Sequence, residues 1–512
     1  MLNKVIIYVV FLPLLSLFLS SCTDTVENQL DKDYCENVNR LDSISLSSEL
    51  QSVSHLMRNK TGVYVLEDGG GSLVTRAWLS EYAEKTIDIQ YFIFSTDNVG
   101  LIACDYLVRA ADRGVKVRIL VDDIMVNTDI SDIISLDNHK NIEIKIFNPG
   151  VNLGKSIFGK IKEFALNFKS ANQRMHNKTF LVDGKVLITG GRNIADEYYD
   201  YDHEYNFRDR DVLLLGKETK NAEVSFDEFW NNWRSVSINK LASVEQRKVD
   251  ANNTYNQLHQ YACNPDNFWP QIRKRIDDFP STFKKIQESG KLIWVDKVNF
   301  VSDAPNKNGS NTLSGGGICV DSLVQLVQNA KESIEIQSPY LITTVESREL
   351  FANAVKRGVR VRILTNSLGS TDNVEAFSGY QRDRKKLLAT GVEIYEFKPN
   401  AEERFDIMTG ALQKKLDYTP VFGLHAKTMV VDKKVVVIGT FNLDPRSTHL
   451  NTECVSIIHS DSIAKKVLIG IELEFLPGNS WHVTNKFNPD TTVGVKKRVI
   501  TWSRKIVPKG IL

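Results

Sequence analysis

Cysteine is scarce in this chain and irregularly placed. The 512 residues hold Cys22, Cys35, Cys104, Cys263, Cys319 and Cys454, with no Cys-x-x-Cys pair. Structural zinc sites gather cysteines in close pairs, and disulfide frameworks show even counts at regular spacings. Cys22 closes an apolar N-terminal stretch and five others remain, so neither a zinc site nor a disulfide framework is read. Charge of one sign is lacking as well. Lys plus Arg number 64 and Asp plus Glu 63, a net charge of +1. That balance gives no global pull toward nucleic acid or an anionic surface, although local patches remain open. An apolar run does occur, from Val5 to Leu19, but it falls short of the ~20 residues that a membrane-spanning helix needs.

What the chain has is one pattern written twice. The first copy reads His176-Asn177-Lys178, four residues, Asp183, six residues, Gly190-Gly191-Arg192-Asn193. The second reads His425-Ala426-Lys427, four residues, Asp432, six residues, Gly439-Thr440-Phe441-Asn442. A lone His-x-Lys arises often by chance, whereas two long copies with equal internal spacing mark a duplicated site. Each copy predicts two strands joined by a tight turn, with Asp183-Gly184 a good hairpin signal. His and Lys, two apart on a strand, share a face. Asp183 and Asp432 complete the motif but fall on the other parity at the turn, where they read as holders of local structure rather than contacts to substrate.

Two imidazoles, two ammonium groups and two carboxamides suit phosphoryl chemistry. Neutral imidazole is a nucleophile or base, and imidazolium is an acid. Lys178, Lys427, Asn193 and Asn442 offer donors for phosphate oxygens. One histidine attacks phosphorus while the other protonates the leaving oxygen, and the second half-reaction reverses the roles. The cations are already in the protein, so no metal and no cofactor is expected.

A second repeat surrounds the first. Thr86-Ile87-Asp88-Ile89-Gln90-Tyr91 parallels Ser333-Ile334-Glu335-Ile336-Gln337-Ser338, and Arg113-Gly114-Val115 parallels Arg357-Gly358-Val359. Each reads strand, helix, glycine cap, strand, the grammar of a covered α/β sheet. The expected fold is α/β, two duplicated domains over residues 61–240 and 291–512, joined by a helical connector over 241–290.

These motifs resemble the paired HKD motifs of the phospholipase D superfamily. The flanks Arg174-Met175-His176, Gly191-Arg192-Asn193-Ile194, Asp209-Arg210-Asp211 and Phe226-Asp227-Glu228-Phe229-Trp230 carry the likeness further. Gly439-Thr440-Phe441-Asn442-Leu443-Asp444-Pro445-Arg446-Ser447 with Asn451-Thr452-Glu453 is similar to the bacterial cardiolipin synthase branch, its C-type members in particular. The resemblance implies two domains facing each other around one shared site, His176 as nucleophile and a carboxylate downstream of each motif to hold an imidazole. Glu453 matches that position in the second half. In the first half the candidates are Asp209 and Asp211, with Asp211 preferred because it opens the Val212-Leu213-Leu214-Leu215 strand.

The implied activity is phosphatidyl transfer that makes cardiolipin from phosphatidylglycerol and a second phospholipid, phosphatidylethanolamine being one candidate. A phospholipase using water, an HKD-type nuclease and a non-catalytic envelope scaffold stand as alternatives. The near-neutral charge argues against the nuclease, and two complete motifs argue against the scaffold.

Lys4, the apolar run and Leu19-Ser20-Ser21-Cys22 describe an export signal whose end resembles a bacterial lipobox. Residues 1–22 would then be a lipoprotein signal ending in a lipidated Cys22, anchoring the chain in the cell envelope, and residues 23–60 a tether. Thr23 favours the outer membrane over the inner. The stretch Lys155–Lys169 has helical apolar spacing and reads as an amphipathic helix packed on its own domain, with an interfacial helix as the alternative. The insert Glu402–Tyr418 gives no clear signal, and the tail beyond Gly478, with Trp481 and Trp502 among basic residues, reads as ordinary surface packing.

Overall fold

The computed structural model describes residues 45–123, 130–150, 172–307, 315–407 and 420–512. The export signal, Cys22, the Lys155–Lys169 stretch and residues 408–418 lie outside them. The first half carries β1 (Thr61–Leu66), β2 (Thr86–Tyr91), β3 (Lys116–Asp122), β4 (Ile142–Phe147), β5 (Thr179–Val182), β6 (Val186–Gly190), β7 (Tyr205–Arg208), β8 (Asp211–Gly216), β9 (Ser235–Ser237) and β10 (Ile293–Val295). The second carries β11 (Val298–Ser302), β12 (Ser333–Gln337), β13 (Arg360–Asn366), β14 (Glu393–Phe397), β15 (Val421–Leu424), β16 (Thr428–Val431), β17 (Val435–Gly439), β18 (Cys454–His459) and β19 (Ser480–Val483).

Two large sheets result, in the orders β10-β1-β8-β6-β5-β2-β3-β4-β9 and β11-β18-β17-β16-β12-β13-β14-β19, with β15 and β7 forming a small third one. The run β8-β6-β5-β2-β3-β4-β9 repeats strand for strand as β18-β17-β16-β12-β13-β14-β19, so the duplication is structural. Turn chemistry repeats with it. Gly114 (φ 97°) and Gly358 (φ 90°) follow the helices Asn98–Asp112 and Val345–Lys356 in the left-handed conformation that only glycine adopts without strain. Asp183 and Gly184 take φ of 52° and 64° in the three-residue turn between the paired Val182 and Val186, a tight reversal that calls for residues tolerant of positive φ. Asp432 and Lys433 match them at 52° and 57°.

Side-chain alternation divides the apolar residues among three layers. Phe180, Val182, Ile188, Leu213 and Leu215 face the helices Gly69–Tyr82 and Asn98–Asp112. Leu181, Leu187, Val212 and Leu214 face the other way and meet Val430, Val436, Ile438 and Ile458 of the second sheet. Met429, Val431, Val437 and Ile457 turn outward onto the second half's own helices. The halves therefore share an apolar core, and the ends of β5 and β16 are carried together at its edge.

The boundaries differ from the sequence expectation at three places. Residues Leu46–Glu49 and Ser54–Met57 are helical rather than tether, with Leu46, Leu50 and Val53 buried in the first half's core. The connector helices Ala251–Cys263, Pro270–Asp277 and Thr282–Glu288 give Leu258, Ile272, Ile276, Phe283 and Ile286 to that same core. β10 then pairs antiparallel with β1, so the chain crosses to the second half only at Asp296 and Lys297. One cysteine expectation is corrected too. Cys263 is disulfide-bonded, whereas Cys104, Cys319 and Cys454 are free and buried. Pairing depends on which cysteines folding brings together, and spacing alone is silent about that.

Candidate active site

The site is built by two short parallel pairings that cross between the halves. β7 pairs with β15, Arg208 opposite Leu424, and the next residues along are Asp209 and His425. The His425 N–H donates to the Arg208 carbonyl at 2.8 Å, and its Nδ1 lies 2.5 Å from Asp209 Oδ2. The other imidazole repeats the arrangement. Met175 bridges in parallel to Thr452, the His176 N–H donates to the Thr452 carbonyl at 3.0 Å, and His176 Nδ1 lies 2.9 Å from Glu453 Oε2. Each half thus lends its carboxylate to the other half's histidine. A carboxylate on Nδ1 fixes that nitrogen as the donor and leaves Nε2 for a substrate atom.

Lys178 and Lys427 follow on the same strand faces. Lys178 Nζ donates to the His176 carbonyl at 2.8 Å. Lys427 Nζ donates to the His425 carbonyl at 2.6 Å and sits 2.9 Å from both ring nitrogens. Asn193 Oδ1 accepts the Ile93 N–H at 3.1 Å. Asn442 is buried, and its Oδ1 has no hydrogen-bond partner among the described residues. Aromatic rings wall both imidazoles: Phe92 meets His176 edge-on at 5.1 Å, and Tyr198 and Phe207 pack on His425 at 5.2 and 4.7 Å.

Burial sets the protonation of this cluster. Desolvation pushes His176 down to about 4, against the pull of Glu453, and His425 down to about 3, with Lys427 adding to the effect. Lys178 falls to about 7 and Lys427 to about 8, again through burial. Lys427 acts on His176 and Lys178 on His425, so the two motifs form one electrostatic unit. Burial raises Asp209 and Glu453, but the imidazoles and nearby ammonium groups outweigh it and hold both below their usual values. Near neutral pH these shifts leave both carboxylates charged and both imidazoles neutral.

One expected site residue is placed elsewhere, and the two motif aspartates lie at the turns, away from the imidazoles. Asp211 does not hold an imidazole. Its Oδ2 accepts from Ser72 Oγ at 2.7 Å and Arg76 Nη2 at 2.9 Å inside the first half. The ladder register explains the correction: Gly190 faces Asp211 and Gly439 faces Val455, so two residues earlier Asp209 stands where Glu453 does. Asp183 and Asp432, counted in the motif, sit at the hairpin turns one strand-length from the imidazoles. Asp183 accepts the N–H groups of Glu84, Lys85 and Thr86 at 2.7–3.0 Å. Asp432 accepts those of Lys331, Glu332 and Ser333 at 2.7–3.1 Å. They pin the starts of β2 and β12 and touch nothing in the site.

Sequence reading missed the aromatic wall and one supporting pair. Asp303 Oδ2 accepts the Glu453 N–H at 3.1 Å and is bound by Lys307 Nζ at 2.7 Å. None of these residues recurs in the duplicated motif, so spacing offered no signal for them. Among the described residues no group of three or more His, Cys, Asp or Glu side chains is arranged to hold a metal, and no helix is long and apolar enough to cross a membrane.

Comparison with known proteins shows the family. The family model described as cardiolipin synthase, PLD-like domain, matches residues 80–230 and 323–469, one segment per half. A protein named cardiolipin synthase C from Escherichia coli strain K12 is 34% identical over 412 residues, covering 79% of this chain and 83% of that one. An uncharacterized protein of Helicobacter pylori strain 26695 is 34% identical over 425 residues, 83% of this chain and 81% of its own. Among solved structures, phosphatidylserine synthase from Haemophilus influenzae superposes with a TM-score of 0.57 at 13% identity, covering 91% of this chain and all of that one, a likeness of fold. With a family model matched in both halves and a curated relative at 34% identity across most of its length, the chain belongs to the cardiolipin synthase family of phospholipase D-like phosphatidyltransferases.

Proposed function

We propose that the chain makes cardiolipin by moving a phosphatidyl group from one phospholipid onto phosphatidylglycerol through a covalent phosphatidyl-histidine. The observation that carries this reading is the exchanged pairing of Glu453 with His176 and Asp209 with His425, which takes up both Nδ1 atoms and leaves both Nε2 atoms off the carboxylates, that of His425 beside Lys427 Nζ. His176 Nε2 attacks the phosphorus, and the P–O bond to the headgroup breaks as His425 protonates the departing oxygen. His425 then takes the proton from the incoming hydroxyl, whose oxygen attacks phosphorus and breaks the P–N bond. The assignment of attack to His176 follows the family resemblance. An anionic phosphate beside the cluster raises the imidazole pKa values, which supplies the acid for the departing oxygen. Lys178, Lys427, Asn193 and Asn442 hold the phosphate oxygens. Anchoring in the bacterial envelope, with the outer membrane favoured, is part of the proposal and rests on Lys4, the Val5–Leu19 run and Cys22.

The test incubates the full chain in detergent micelles with phosphatidylglycerol, with and without phosphatidylethanolamine, and reads the products by mass spectrometry. Cardiolipin is expected, and dependence on phosphatidylethanolamine would name the donor. Phosphatidic acid alone would move the assignment to a phospholipase, and no lipid turnover would discard it.

A pH profile follows from the buried lysines. The ammonium groups titrate at about 7 and about 8, well below free lysine, so the charge that holds phosphate is lost as pH rises through that window. The imidazoles stay neutral down to about 4. We therefore expect kcat/KM of the free enzyme to fall on the alkaline side between about pH 7 and 8. A profile that stays flat up to the range of free lysine, about pH 10, would show that neither ammonium is needed.

A further inference from the structure

A cavity of about 420 Å³ opens between the helices Ile318–Asn329 and Val345–Lys356 and the outer face of the second sheet. Its depth is apolar, with Leu323, Val324, Leu350, Phe351, Met429 and Val437 among the walls, and at one end it reaches Ser338, Asp444 and Lys427 of the phosphate-binding cluster. The volume falls within the ~300–1,000 Å³ range of small-molecule sites.

The duplicated fold supplies an internal comparison. The matching place in the first half encloses only about 20 Å³. Counting from the paired strands and glycine caps, Arg76, Tyr91 and Tyr106 stand there where the second half has Leu323, Ser338 and Leu350. The first half fills the space with a buried network, Arg76 Nε to the Tyr91 hydroxyl at 3.0 Å and Arg76 to Asp211 at 2.9 Å. The partner of Asp211 by ladder register is Val455, another wall of the open cavity. At these four positions the second half loses two charges and two aromatic rings, while Glu346 and Glu349 of the helix Val345–Lys356 add carboxylates to the cavity wall. Ile318 and Val345, each 56% exposed, open the two helices and add apolar surface.

We propose that this cavity is an acyl-chain site, seating one fatty chain of the phospholipid whose phosphate is held at Lys427. It rests on the phospholipid reading above and adds where a chain goes, and to which half. A chain is the occupant that the shape requires: it must be apolar along its length, and it must continue into an anionic group at the lysine end. Because the first-half counterpart is filled, the site takes a chain on one side only, and so gives the symmetric catalytic cluster a direction.

The experiment fills the cavity away from Lys427 with Leu350→Tyr, which restores the first-half side chain, and with Val324→Phe. Full-length protein and both variants are compared on dioleoyl and dihexanoyl phosphatidylglycerol. They are also photolabelled with phosphatidylglycerol carrying a diazirine at the chain end. Each variant should lower kcat/KM for the long-chain lipid relative to the short-chain one by about tenfold, in keeping with the discrimination that pocket shape gives. Label should land on residues 318–329 and 345–356 of the wild type and leave them in the variants. An unchanged long-to-short ratio, or label elsewhere, overturns the acyl site while leaving phosphatidyl transfer intact. Wild type that labels in the cavity yet transfers nothing keeps the acyl site and sinks the proposed function.

Discussion

His176→Ala and His425→Ala should each lower kcat for phosphatidyl transfer by about 10⁴-fold or more, and the double variant should lose little beyond either single one, as groups acting as one unit do. The reason lies in the division of labour. Without His176 there is no atom to form the P–N bond, and without His425 the headgroup must leave as an alkoxide. The two losses separate when the leaving group needs no proton. On the p-nitrophenyl ester of phosphatidic acid, His425→Ala should still release p-nitrophenol in a single burst and keep the phosphatidyl group on His176, detectable on that peptide by mass spectrometry. His176→Ala should release none. A burst from His176→Ala and silence from His425→Ala would exchange the two roles. Turnover by both single variants would discard the covalent mechanism.

How much of this was legible in the sequence depends on distance along the chain. Everything within one motif copy was visible: the hairpin after Lys178, the shared face of His and Lys, the turn at Asp183. These follow from strand parity and from turn residues that tolerate positive φ. The duplicated strand-helix-strand units were visible for the same reason. What crosses between the halves was not. The contact of Asp209 with His425 depends on β7 leaving its own sheet to pair with β15, and no local pattern announces which strand of another half a segment will meet. Asp211 looked right because a charge that opens an apolar strand stands out, yet ladder register, invisible in one sequence, decides which carboxylate faces the cleft. The connector is helical in the structure. Which half its helices join is settled only by the core that receives Leu258, Ile272 and Phe283.

Asp209→Asn and Asp211→Asn, two residues apart and chemically the same change, should fail in opposite ways. Asp209→Asn keeps the shape but removes the charge that orients His425 and stabilises its imidazolium. We expect kcat to fall by about 10²–10⁴-fold, the scale for losing a histidine-orienting carboxylate, with little loss of folded protein. Any acid limb belonging to His425 should also move to lower pH, since Asp209 raises that pKa. Asp211 lies fully buried against Arg76, with Arg192 at 3.6 Å. Neutralising it leaves guanidinium charge in the first half's interior without its counter-ion, a loss of about 3–5 kcal/mol where a buried pair is broken. Asp211→Asn should therefore unfold at markedly lower denaturant while its folded fraction turns over within a few-fold of wild type. Denaturant midpoints and kcat per folded molecule, measured side by side, decide between the two residues. If Asp211→Asn proved stable and inactive and Asp209→Asn active, the exchanged pairing between the halves would be wrong, and with it the account of how each imidazole is held.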